Sequence, residues 1–183
     1  AAATTIATIS PFIELNTNLQ RLDFVSCSLG DESTRLLASA LSSRENKSSL
    51  QRMILDANGI GDETGRMLVD VLLNGYDNLV ELSLGDNEVG KKACIALSNL
   101  LSSQNSKLKV LNIENNPIDD DGITVLTNGL ASNTILEELN LSFNCNITQA
   151  GWQTFFPCLQ NPNSSLETLD ISSTNITNEG ATA

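Results

Sequence analysis

One stretch of this chain is copied along its length, and that repetition narrows the possible folds more than any other feature. Leu108, Leu111, Ile113, Asn116 and Ile118 are followed by Asp119-Asp120-Asp121-Gly122, then by Ile123, Leu126 and Leu130. A shift of 28 residues forward (108 to 136) puts Leu136, Leu139, Leu141 and Asn144 on the same template. A shift of 29 back (108 to 79) does the same for Leu79, Leu82, Leu84, Asn87 and Val89. The first half of the unit alternates apolar and polar residues, the period of a strand. The second half places apolar residues three and four apart, the period of a helix. One such unit buries too little to stand alone, so neighbours must stack to close a continuous core.

Followed along the chain, the template predicts a single array over residues 1–183. Residues 1–18 read as the tail of a truncated repeat, with Ile9 and Ile13 in register with Leu126 and Leu130. Repeats start at Leu19, Leu50, Leu79, Leu108 and Leu136, and a partial repeat runs from Leu166 through Leu169, Ile171 and Ile176. Cys27 and Thr174 stand where other units have Asn, Met53 replaces a Leu, and the fifth turn carries one extra residue, Asn144-Cys145-Asn146-Ile147. A pattern LxxLxLxx(N/C)x(I/L) at a period of 28–31 residues resembles the leucine-rich repeat. Its long helical half resembles the ribonuclease-inhibitor subtype. The expected fold is α/β: a right-handed, curved horseshoe segment with parallel strands on the concave face and helices on the convex one. Strands repeat about every 4.8 Å and helices roughly every 8–10 Å, and that mismatch bends the stack.

Several residues invite chemistry but have a structural explanation. The ladder Asn58, Asn87, Asn116 and Asn144 is expected to satisfy backbone groups where each strand turns away. Asp119-Asp120-Asp121 suggests calcium, yet lacks the spacing and distal Glu of a calcium loop. Gly30-Asp31-Glu32 and Gly61-Asp62-Glu63 share its register, so these acids read as caps at helix starts. Pro11 and Pro157 predict helices that end early or kink, and Trp152 is expected to be a packing residue. The sequons at Asn46, Asn140, Asn146, Asn163 and Asn175 fit chance in an Asn-, Ser- and Thr-rich chain.

Composition excludes several function classes. A net charge of −12 argues against a nucleic-acid partner, and the lack of a long apolar run argues against membrane insertion. With no histidine, a His-based triad and a Cys/His zinc site are both ruled out. No cofactor motif is present, since Gly59-Ile60-Gly61 and Gly85-Asp86 are turn residues. Four scattered cysteines favour a reducing, intracellular and cytoplasmic setting.

What the core leaves free is the outward strand positions, which form three rows. The first is Arg21, Arg52, Glu81, Val110, Glu138, Thr168; the second is Asp23, Ile54, Ser83, Asn112, Asn140, Asp170; the third is Val25, Asp56, Gly85, Glu114, Ser142, Ser172. The resemblance implies a non-enzymatic scaffold that binds another protein along this face, probed by Arg21, Asp23, Arg52, Asp56, Glu81, Glu114, Glu138 and Asp170. The acids predict a partner with a basic surface, its Lys or Arg side chains meeting Asp56, Glu81, Glu114 and Glu138. Two alternatives stand beside it: an architectural subunit of a large assembly, or the sensor segment of a longer receptor-like or regulatory chain. Both ends break within a repeat, so further sequence or neighbouring chains are expected to cover them.

Overall fold

The structure is a computed structural model that describes residues 2–45 and 47–176. Helices and strands alternate along it: α1 (Ala2–Leu15), β1 (Arg21–Asp23), α2 (Gly30–Ser43), β2 (Arg52–Ile54), α3 (Asp62–Leu73), β3 (Glu81–Ser83), α4 (Lys91–Ser102), β4 (Val110–Asn112), α5 (Asp120–Leu130), β5 (Glu138–Asn140), α6 (Gln149–Phe155) and β6 (Thr168–Asp170). The strands form one six-stranded parallel sheet in sequence order, and each helix packs on the next. This is the solenoid that the repeat requires, with strands lining its inner side and helices its outer side. No described helix is long and apolar enough to cross a membrane.

Two rows of inward strand side chains make the core. Leu22, Met53, Leu82, Leu111 and Leu139 form one, and Leu55, Leu84, Ile113 and Leu141 the other; all are buried. Leu37, Leu41, Leu68, Leu72, Leu97 and Leu126 close on them from the helices. At the first and last strands Phe24 and Leu169 are only half-buried, because each has a stacked strand on one side alone among the described residues. Trp152 is fully buried and packs edge-on against Phe155, which confirms its packing role.

The asparagine ladder fastens the turns of successive units. Asn87 donates to the carbonyls of Leu55, Leu84 and Gly85 at 2.9–3.0 Å and accepts from the N–H groups of Asn58 and Ile60. Asn58 repeats the pattern with Phe24, Leu55 and Asp56 as acceptors and Cys27 and Leu29 as donors. Each amide therefore satisfies backbone groups that leave the strand ladder, including those of the preceding unit. The residue before each ladder position is left-handed: Ser26, Ala57, Asp86, Asn115, Phe143 and Ser173 have φ between 44° and 59°. For a non-glycine residue this conformation costs about 1–2 kcal/mol, which the buried amide bonds offset.

Two local expectations change. Pro11 lies inside α1, which continues to Leu15, while α6 does stop at Phe155 and passes into a 3-10 turn, Phe156–Gln160, containing Pro157. The acids at helix starts do cap, but three of them serve the next unit. Asp31 accepts from Gly61 N–H, Asp120 accepts from Thr148, and Asp62 accepts from the N–H groups of Gly90, Lys92 and Ala93. Among the described acids, Asp119 is the one that caps its own helix, accepting from Gly122 N–H at 2.9 Å. The helix α4 begins with Lys91 and Lys92, the wrong charge for a helix N-terminus, and borrows its carboxylate from Asp62.

Asn144 tests the ladder. It donates to Ile113, Leu141 and Ser142, but its buried Oδ1 has no partner among the described residues. Replacing Asn87 by Ala orphans both carbonyls and N–H groups and should cost about 3 kcal/mol or more in urea unfolding. Asn144→Ala, which orphans carbonyls alone, should cost measurably less; equal losses would show that the accepted bonds add nothing.

Candidate protein-binding face

The three outward rows lie as the repeat places them. Pairing across the sheet aligns Arg21, Arg52, Glu81, Val110, Glu138 and Thr168, and beside them Asp23, Ile54, Ser83, Asn112, Asn140 and Asp170. The third row continues through backbone bonds from Ser26 to Asp56, Ala57 to Gly85, Asp86 to Glu114, and Asn115 to Ser142. The candidate residues thus share one side of the sheet, which the period of two along a strand demands once Leu111 and Ile113 face the core.

Their chemistry is less uniform than their placement. Arg21 pairs with Asp23 at 2.7 Å and Arg52 with Glu81 at 3.4 Å, so the cationic end of the face is neutralised internally. In the middle the acids are held by neighbours. Asp56 accepts from Ser83 Oγ and from Gly85 N–H at 2.7 Å. Gly85 matters here: a Cβ would stand 3.1 Å from Asp56 Oδ1 and 3.0 Å from both Asn112 Nδ2 and Glu114 Cγ. Glu114 accepts from Asn140 Nδ2 at 2.6 Å and weakly from Ser142 Oγ. Asn112, Asn140 and Asp170 each accept, through Oδ1, the N–H two residues on. Asp170 is exposed, and the Ser172 bonds hold its carboxyl below the usual range. Glu138 is exposed, and its carboxylate has no partner among the described residues.

Asp56 is shifted the opposite way to Asp170. Burial pushes its carboxyl above the usual range; the Ser83 and Gly85 hydrogen bonds oppose this, and the nearby charges of Glu114 and Asp86 add to it. Asp56 thus feels two neighbouring carboxylates, and no cation pairs with any of the three among the described residues. Asp86, together with Glu88 and Phe143, lies outside the three rows, and reading the strands alone missed all three. A signal was present: Phe143 falls where other units carry Ser26, Ala57, Asp86 or Asn115, all small or polar. Of the sequon asparagines, Asn140 uses its amide on Glu114, Asn146, Asn163 and Asn175 are exposed, and Asn46 lies outside the described residues.

The cysteines divide by burial. Cys94 is buried in α4, and burial pushes its thiol up to about 12; Cys158 is half-buried and pushed up to about 11. Cys27 and Cys145 are exposed, and all four are free.

A parallel stack of strand-and-helix units, carrying one face of side chains that the core does not use, defines the class: a solenoid with a variable inner surface. The chain belongs to the leucine-rich repeat family, whose model matches residues 15–38, 78–98, 104–126, 132–155 and 163–183. The second unit escapes that match yet supplies β2 and α3 in register. Pig ribonuclease inhibitor is 31% identical over 168 residues, 91% of this chain and 36% of that protein. A bovine NACHT, LRR and PYD domains-containing protein 3 is 33% identical over 132 residues, 72% of this chain and 12% of that protein. The chain therefore spans about a third or less of the curated relatives it matches. Among solved structures, leiomodin-1 actin-binding site 2 superposes with a TM-score of 0.64 at 15% identity, covering 86% of this chain and 87% of that one. An internalin from Listeria monocytogenes gives 0.54 at 22% identity over 93% of this chain and 46% of its own. These two likenesses concern the fold.

Because folding raises the Asp56 pKa, the folded state binds that proton more tightly than the unfolded chain does. Its charge opposes folding at neutral pH, and the penalty fades as pH falls through the folded value. Asp56→Asn keeps an oxygen for Ser83 and Gly85 and removes the charge. Near pH 7 the variant should melt at or above the parent's temperature, and the gap should close as the pH drops toward 3.8. A variant that melts lower at neutral pH would show that the carboxylate is needed for the fold.

Proposed function

We propose that this chain is a non-enzymatic scaffold whose inner strand face binds a protein with a basic surface. One observation carries the reading: each of the chain's ten cations already has a partner within the chain. Arg35, Arg66, Lys91, Lys92 and Lys109 pair with acids of the helices and turns, and Arg21 and Arg52 pair within the face. Lys47 and Lys107 bond to Asn74 and Asn78, and buried Arg44 holds the carbonyls of Asn16 and Leu19. Asp56, Glu114 and Glu138 are left for cations from outside, and Glu81, held only by the exposed Arg52 at 3.4 Å, can be shared with one. Such a field favours association rate and choice of partner more than raw affinity. The pig relative is named for inhibiting a ribonuclease, another protein, which agrees with this reading. The free cysteines support an intracellular setting.

A second reading, the sensor segment of a longer regulatory chain, is favoured by similarity to NACHT, LRR and PYD domains-containing proteins. The same face would then act within that chain. The reading of the face is tested by capture from the native source. Proteins held by the parent at low salt should be basic, should leave as salt rises, and should bind the double variant Glu81→Lys, Glu138→Lys at least roughly tenfold more weakly. Both side chains are on the surface of the strands, so the fold should survive. Undiminished capture by the double variant would refute the reading.

A further inference from the structure

Where the strands run into their turns, beside the three rows, lies a groove of about 370 Å³. It crosses three successive units. The third supplies Asp86 and Glu88, the fourth Asn115 and Pro117, and the fifth Phe143 and Asn146. Asp86 and Glu88 are exposed, and Asn115 Nδ2 donates to Asp86 Oδ1, which fixes that carboxylate and leaves its other oxygen open. Glu88 has no side-chain partner among the described residues, and none of the ten cations reaches either acid. At the far end Phe143 is 52% exposed, a large apolar ring outside the core at a place the repeat gives to small or polar residues.

We propose that this groove receives a lysine or arginine side chain of a partner protein. The proposal rests on reading this side of the stack as the partner surface, and extends that surface beyond the strand rows. The third and fifth units are two strand spacings apart, on the order of 10 Å. A long basic side chain fits that separation, with its cationic head between Asp86 and Glu88 and its methylene stem along Pro117 toward Phe143. The acids attract the head, and the ring and proline take the apolar stem that such side chains bury while their charge stays wet. An acidic partner would be repelled, and an apolar one would leave both carboxylates facing it.

The test uses the 15N-labelled chain titrated with N-acetyl-arginine amide and, separately, with its neutral isostere N-acetyl-citrulline amide. Saturable shifts of the Asp86, Glu88, Asn115 and Phe143 amides are expected with arginine, and much smaller ones with citrulline. Phe143→Asn suits a φ of +59° and removes the ring, so it should stay folded while binding about fourfold more weakly, the worth of one buried methylene. Equal responses to both probes, or binding unchanged by Phe143→Asn, would overturn the groove. Shifts confined to Glu81 and Glu138 on the strands would overturn it too, while leaving the inner-face reading intact.

Discussion

The buried asparagine amide is the contact on which the stack depends. A parallel strand of three residues satisfies few backbone groups, and its chain must then turn sharply away from the sheet. The groups exposed by that turn lie at the edge of an apolar core, where water cannot serve them. One carboxamide offers two donors and an oxygen that takes two more bonds, enough to serve a turn and its neighbour together. Asn87 does this between the second and third units, and Asn116 between the third and fourth. The left-handed residue before each amide is the geometric counterpart: it swings the chain so that the amide points inward. Cys27 and Thr174, the first and last ladder positions among the described residues, carry no amide. Thr174 donates to Ile171 within its own turn, and the Cys27 N–H is served by Asn58.

Much of this was legible in the residues. The period fixed which side chains face inward, because a strand offers only two faces and the leucines claim one. The outward rows then follow by elimination, and pairing of Arg52 with Glu81 and of Leu82 with Leu111 reproduces the spacing of the units. The burial of Trp152 follows from its place on the inward side of a helix.

What was not legible arises between units. Asp31, Asp62 and Asp120 look like caps for the helices they open, and spacing within a unit cannot reveal that their oxygens reach the next turn. The same limit hides how the inner acids are used. Asp56 and Glu114 read as free charges along the chain, but parallel stacking brings Ser83, Gly85 and Asn140 against them. The groove at Phe143 is a third case, since it is assembled from three units and no one of them shows it. Sequence periodicity reports direction well, and reports contact across a stack only when the neighbour's offset is known.

The carboxylate lent by Asp62 to α4 also bears on how such arrays change over time. Units that differ only in side chains look interchangeable, and duplication or deletion of whole units is an easy route to new lengths. Here the third unit carries two lysines at its helix start because its predecessor supplies the opposing charge. Moved behind a unit without that aspartate, the same segment would open its helix on unpaired N–H groups and like charge. Neighbours in this array are thus coupled, and a rearrangement that keeps this cap must keep their order.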